Sequence, residues 1–314
     1  MHRIEIRDVC PRDGLQDVTH FIPTAIKFEL VKRLYGAGVR SIEATSFVSP
    51  RAVPQLADAA DLMMMLKAEA LPGAVYSVFV ANEKGLELAM RAGADEISTT
   101  VPASEGMTRA NFRIGRGEML STVTKLRSTA MDTPMSVTIA TAFGCPHDGP
   151  VDAQTVIELA DSLADAGYRR LFLGDTVGVG NPHQVADLFG RLRERLQDVE
   201  LGAHFHDPRG IGLANVVAAI EAGATVVDAS LGGLGGCPFA PGASGNVATE
   251  DVVWALHAMG YAIEPQPTAI VEAAQWLQQC LDIELTSRTP NACRFAWEDR
   301  GEKSPAKSVL RDLI

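Results

Sequence analysis

This sequence lacks a basic excess, a long apolar run and any paired arrangement of cysteines, and each deficit removes a class of protein. Its 28 lysines and arginines stand against 39 acidic residues, for a net charge of −11 and a pI near 5.1. That balance excludes a chain-wide surface for nucleic acid or anionic lipid, though not a local basic pocket. The longest apolar stretches fall far short of the roughly 20 residues that span a bilayer, so no membrane partner is expected. The five cysteines, Cys10, Cys145, Cys237, Cys280 and Cys293, are odd in number and scattered without zinc-type spacing. They are expected to be reduced thiols in a cytoplasm. Residues 1–9 enter a strand-like pattern directly, with no charged start and no Arg-rich leader, so no targeting segment is expected.

What is present is a repeated unit. At 314 residues and 46% hydrophobic composition the chain can bury a large core. Ile4-Glu-Ile-Arg-Asp-Val9 alternates as a strand, and Ala25, Phe28, Leu30, Val31 and Leu34 share helical spacing over 24–35 before Gly36-Ala-Gly38 stops that helix. The same strand, turn and amphipathic helix recur, often closing on Ala-Gly pairs such as Ala92-Gly93, Ala166-Gly167 and Ala222-Gly223. The pattern predicts strands near 3–9, 40–47, 74–80, 95–101, 135–143, 170–175, 200–206 and 225–231. Eight such units with right-handed crossovers match an α/β fold of the (β/α)8 TIM-barrel type over residues 1–264. An open doubly wound sheet is the rival, but it would have fewer strands and a switch point. Polar residues gather at the strand C-terminal ends, where barrels place their chemistry. Residues 265–314 are expected to form a helix around 268–281 and a polar tail, packed on or beside the barrel.

The candidate chemistry lies at those strand ends. Gly232 to Asn246 packs six glycines around one thiol, Cys237, which suits a loop that bends or closes over a ligand better than a packed core. Glu43 and Thr45 are two apart on one strand and so share a face. A buried carboxylate needs a partner, and Arg12 at the neighbouring strand end is the obvious one. Asp13-Gly14 by itself reads equally well as a turn. His204 and His206 also share a face, which favours ligands over one core histidine and one rim histidine. With Asp13 and Asn246 they make a mixed N/O donor set. That set suits Mg²⁺ or Mn²⁺ and occasionally Zn²⁺ or Co²⁺, and spacing does not choose among them.

Four separated blocks now carry a resemblance: Pro11-Arg-Asp-Gly-Leu-Gln16; Glu43-Ala-Thr-Ser-Phe-Val-Ser-Pro50; Leu173-Gly-Asp-Thr-Val-Gly178 with His204-Phe-His-Asp207; and Gly232 through Asp251. Over about residues 3–260 the chain resembles the 3-hydroxy-3-methylglutaryl-CoA lyase family of metal-dependent TIM-barrel lyases, relatives of isopropylmalate and homocitrate synthases. The Gly-Gly-Cys-Pro loop favours the lyase branch. The resemblance implies a divalent metal cation on Asp13, His204, His206 and Asn246. It also implies catalytic roles for Arg12 as enolate stabiliser, Glu43 beside it, Asp175 as a further acid and Cys237 as the proton-transferring thiol, and it places Asn111 near the CoA portion. It further implies an acyl-CoA thioester substrate and a homo-oligomer, dimer or tetramer.

For the CoA phosphates the sequence offers Arg109, Arg113 and Arg116 in the loop after the fourth strand, which also read as an ordinary solvated cluster. Three departures stand out. Where relatives often have Ser-Pro-Lys-Trp, His-Asp-Thr-Tyr-Gly-Gln and Cys-Pro-Tyr-Glu-Gly, this chain has Arg51-Ala52, Pro208-Arg209 and His147-Asp148. They bear on the acyl group, leaving citramalyl-CoA or another branched 3-hydroxyacyl-CoA as an alternative substrate. A Claisen-condensing relative and a catalytically silent barrel are the readings outside this reaction.

Overall fold

The computed structural model describes residues 3–236 and 245–292. Its strands are β1 (Glu5–Asp8), β2 (Ser41–Ser46), β3 (Val75–Phe79), β4 (Glu96–Pro102), β5 (Met135–Ala140), β6 (Arg170–Asp175), β7 (Glu200–Phe205) and β8 (Val226–Ala229). They pair in chain order and close into a parallel barrel through β1 and β8. Each strand ends within three residues of the range expected from alternation. The rival open sheet is ruled out by that closure, and the fold is a (β/α)8 TIM barrel.

Helices surround the barrel because their apolar stripes face it. The helix Thr24–Gly36 buries Leu30, Val31 and Leu34, and Pro182–Arg195 buries Val185, Leu188, Phe189 and Leu192. Asn181 starts the latter with a reciprocal capping box to Gln184, ahead of a proline that suits the first helical turn. The Ala-Gly endings return the chain to the next strand, as at Gly223, where φ of +110° is open to glycine and strained for other residues. The helix Pro267–Leu281 packs against Thr249–Met259 and Thr24–Gly36, across the seam where the last and first units meet. Past it the chain is pinned again: Thr286 N donates to Gly232 O (3.1 Å), and the Arg288 and Thr289 amides donate to Asp251. Residues 293–314 lie outside the described residues.

The barrel interior is filled by charge as much as by aliphatic side chains. Near the N-terminal ends of the strands Arg170 bridges Glu5, Glu96 and Glu200 at 3.0, 3.1 and 2.5 Å. One layer up, Arg7 donates through Nε and Nη2 to the two oxygens of Asp228 (2.7 and 2.9 Å) and through Nη1 to Ser136 Oγ (3.1 Å). Its guanidinium carbon lies 3.9 Å from the centroid of the Phe172 ring. Phe172 has that seat because the β7 residue facing it is Gly202, where a Cβ would come within 2.4 Å of the ring. Gly202→Ala should therefore displace Phe172 and destabilise the protein by about 1–3 kcal/mol, the usual cost of overpacking. Urea unfolding measures this, and an unchanged midpoint would show that the ring has another place to go.

Candidate active site

The chain leaving β1 does not continue into an ordinary turn. Cys10–Gly14 forms a single π-type turn, in which Val9 O accepts from the amides of Arg12, Asp13 and Gly14. This wider turn sets two adjacent residues to work together, as such turns often do at functional sites. Arg12 donates through Nε to Glu43 on β2 (2.5 Å) and through Nη1 to Asp13 Oδ1 (2.5 Å), and its guanidinium lies 4.9 Å from the centroid of the Phe79 ring. Ser98 of β4 donates to the other oxygen of Glu43. The expected Arg12–Glu43 pair is thus formed, and Glu43 is completely enclosed by its two partners. Just beyond Glu43 the β2–β3 register shifts by one residue, an irregularity of the kind found beside barrel sites.

Asp13, His204 and His206 come together as a buried cluster whose potential ligand atoms all lie within 4.8 Å of one another. The two imidazoles project from β7 and the residue after it, with ring centroids 5.4 Å apart. Asn246 is brought to the same place because its backbone bridges to His206, and its Nδ2 donates to Asp13 Oδ2 (2.7 Å) and Leu234 O (3.0 Å). Gly235 makes this approach possible: a Cβ there would lie 2.6 Å from Asn246 Nδ2 and 3.0 Å from Asp13 O. Asn246 Oδ1 and His206 Nδ1 are both buried with no hydrogen-bond partner among the described residues. Orphaned acceptors of this kind, facing a carboxylate and a second imidazole, are what a cation site needs, so the residues present fit a divalent metal.

The electrostatics agree with that fit. Burial is the largest influence on Asp13 and by itself would raise its carboxyl, but the charge of Arg12, the two histidines and the Asn246 hydrogen bond together outweigh it and hold the group below its ordinary value. His206 is pushed down to about 4 by burial and then by His204, leaving a neutral ring. His204 moves the other way despite its burial, because its Nδ1 lies 3.0 Å from Asp228 Oδ2. Asp228 is held at about 2 against the cost of burial by Arg7 and His204.

Sequence periodicity did not single out Asp228 and Arg7, nor Ser98 and Ser136. The signal available was a charged residue in each of two strands buried on both faces, where every charge requires a partner. A second group that escaped it lies under the glycine loop. Asp8 accepts from the Cys10 amide (2.8 Å) and from Thr249 Oγ1 (2.6 Å), while both oxygens of Glu250 accept from the Gly232 amide (3.1 and 3.2 Å). One root of the loop is thereby held at Gly232, and at the other Gly245 O accepts from the Asp207 amide (3.0 Å). Cys237 lies outside the described residues.

Asp175 is fully buried at the end of β6, with its two oxygens on the amides of Val179 and Gly180 (3.0 and 2.9 Å). Burial raises its carboxyl above the ordinary value against those donors. Asn111 and Arg113 are exposed at the end of the helix Glu105–Phe112. Arg109 pairs with Glu105 (2.7 Å), and Arg116 donates to Ala103 O (2.9 Å), so two of the three arginines already have partners. Arg209 donates to the carbonyls of Val177 and Gly178, both at 2.9 Å, and so braces the β6 loop. Ala52 is exposed in the turn after β2.

A closed parallel barrel with a histidine–carboxylate cluster at the C-terminal ends of its strands defines a (β/α)8-barrel enzyme with a candidate metal centre. The family described as HMGL-like matches residues 3–277. Hydroxymethylglutaryl-CoA lyase YngG of Bacillus subtilis is 38% identical over 288 residues, 91% of this chain and 96% of that protein. The mitochondrial hydroxymethylglutaryl-CoA lyase of Rattus norvegicus is 39% identical over 292 residues, 92% of this chain and 89% of that one. Among solved structures, the HMG-CoA lyase of Bacillus subtilis superposes with a TM-score of 0.88 at 37% identity, covering 93% of this chain and 98% of that one. An HMG-CoA lyase from Acinetobacter baumannii, solved with coenzyme A and 3-methylmalate, superposes at 0.87 with 34% identity, covering 94% and 96%. This chain belongs to the HMGL-like family and is a lyase.

The buried acids under the loop generate a pH prediction. Burial pushes Glu250 up to about 7 from an ordinary 4.5, and Asp8 to about 7 from 3.8. The folded state therefore binds more protons than the unfolded one across that window, and stability falls as pH rises through it, then levels off. Glu250→Gln should remove about 3 kcal/mol of that dependence, since each tenfold change in proton affinity is worth about 1.36 kcal/mol, leaving the part due to Asp8. Urea unfolding at pH 5, 6, 7 and 8 reads the slope. A variant with the same slope as the parent would show that Glu250 is ionised throughout.

Proposed function

We propose that this chain cleaves 3-hydroxy-3-methylglutaryl-CoA to acetyl-CoA and acetoacetate in the retro-Claisen sense. The observation that carries the reading is the convergence of Arg12, Glu43, Asp13, His204 and His206 at one barrel mouth, in a chain that shares over a third of its residues with HMG-CoA lyases along nearly its whole length. Asp13, His204, His206 and Asn246 would hold the divalent cation, Mg²⁺ or Mn²⁺ by their N/O chemistry. Such an ion supplies Lewis-acid charge that lowers the pKa of the substrate hydroxyl.

The protein's own residues account for the rest. The hydroxyl proton passes to a carboxylate at the mouth, the adjacent C–C bond breaks to give the oxo acid, and its electron pair becomes the thioester enolate. Arg12 is aimed at that developing charge by the grip of Glu43 on one edge and Asp13 on the other, with no reorganisation needed during the reaction. Asp175 fixes the turn at 177–180 that borders the site. Cys237, on the loop rooted at both ends beside Asn246, is assigned the protonation of the enolate carbon. We assign residues 1–264 to the catalytic barrel and 265–314 to an extension supporting it.

Incubating the protein with the thioester and Mg²⁺ should release acetoacetate, and chelation should abolish this until Mg²⁺ or Mn²⁺ is restored. Cleavage of citramalyl-CoA but not of the hydroxymethylglutaryl thioester would overturn the substrate, and full turnover in excess chelator would overturn the cation. Arg12→Ala should lower kcat by about 10²-fold or more while the protein still binds Mn²⁺.

The CoA phosphates are assigned to Arg109, Arg113 and Arg116, with Asn111 beside them. Arg113 is the leading contact, since it is exposed and has no ion pair among the described residues. Replacing all three arginines with alanine should raise KM for the thioester by about tenfold at low ionic strength, less at high salt, with kcat nearly unchanged. An unchanged KM at low salt would place the phosphates elsewhere.

A further inference from the structure

We propose that Asp228 and Arg7 form a two-step positioning relay that fixes the tautomer and aim of His204, so that Nε2 is the atom this histidine presents to the cation. The inference rests on reading Asp13, His204 and His206 as a metal site and adds to it the reason one of the imidazoles has a fixed orientation.

Asp228 lies directly across from His204 in the β7–β8 register, and its Oδ2 is 3.0 Å from His204 Nδ1. A carboxylate can only accept, so the shared proton belongs to Nδ1 and the lone pair of the neutral ring is left on Nε2. The carboxylate cannot swing away. Both of its oxygens are held by the fork of Arg7 at 2.7 and 2.9 Å, a geometry that a lysine would not reproduce. Arg7 is in turn held by Ser136 Oγ (3.1 Å), by Glu96 (3.4 Å) and by the face of Phe172, which is seated against Gly202. Arg7, Asp228, Ser136, Glu96 and Phe172 are all buried and His204 is largely so, which leaves an imperfect arrangement little water to fall back on. His206 differs, since its Nδ1 has no hydrogen-bond partner among the described residues. The two histidines of the cluster are therefore not equivalent: one is oriented by the barrel interior, and the other by its own strand end.

Asp228→Asn tests the relay because it changes chemistry with little change of shape. Arg7 demands acceptors, so the amide oxygen turns to it and the NH2 faces His204. Nδ1 must then accept, and the ring proton moves to Nε2, where it points at the cation. Mn²⁺ binding, followed by the EPR signal of the free ion, should weaken by about 10–100-fold, the range for loss of a carboxylate behind a metal-binding histidine. Arg7→Lys should weaken it less.

A second measurement needs no variant that might misfold. Long-range ¹H–¹⁵N correlation on the cation-free parent protein at pH 8 should find His204 protonated on Nδ1. A parent ring with bare Nδ1 and a proton on Nε2 overturns the relay, as does an Asp228→Asn protein that binds Mn²⁺ like the parent. If the parent binds no Mn²⁺ at all, the cation reading fails instead, and the tautomer alone decides the relay.

Discussion

Charge enclosed in a parallel barrel must be paired where it sits, and most of this structure follows from how that pairing is met. Strands covered on both faces usually fill the interior with aliphatic layers. Here Arg170, Arg7 and Arg12 occupy successive levels, each gripped by carboxylates from other strands. Breaking a pair of this kind leaves an unpaired buried charge at a cost of several kcal/mol, so each level constrains the next. The stack ends at the mouth with a guanidinium held between Glu43 and Asp13.

Much of this was legible in the sequence because it rests on local periodicity. Alternation located every strand, and the two-residue spacing of His204 and His206 placed both rings on one face whatever the fold around them. The Arg12–Glu43 pair followed from neighbouring strand ends. What was not legible depends on register between strands far apart in the chain. Arg7 and Asp228 are 221 positions apart and meet only because β8 closes on β1. The π-type turn at 10–14 and the shifted register after Glu43 leave no mark in composition. Arg109 and Arg116 read as members of one cation cluster and Arg209 as added charge, and only their geometry shows that Glu105 and the carbonyls of Ala103, Val177 and Gly178 already engage them.

The supports of the glycine loop show how distant parts of the chain share one task. Glu250 takes the Gly232 amide from one side, and Thr286 donates to the Gly232 carbonyl from the other. The segment after Pro267–Leu281 is thus part of the framework beneath the mouth. Leu285 packs close enough to Gly232 that a Cβ there would meet its side chain at 2.6 Å.

The closure of β8 on β1 also orders events in the making of the protein. Asp13 is supplied by the first unit of the chain, and His204, His206 and Asn246 by the last two, so no fragment emerging during synthesis carries the full donor set. Long-range closure of this kind is slow, because the loop entropy is lost before any contact is gained. Partly folded chains present scattered single ligands with little hold on an ion, and the site comes into being only with the finished barrel. A cation captured there would thereby report completed folding and, once bound, would tighten the same β1–β8 seam on which its arrival depended.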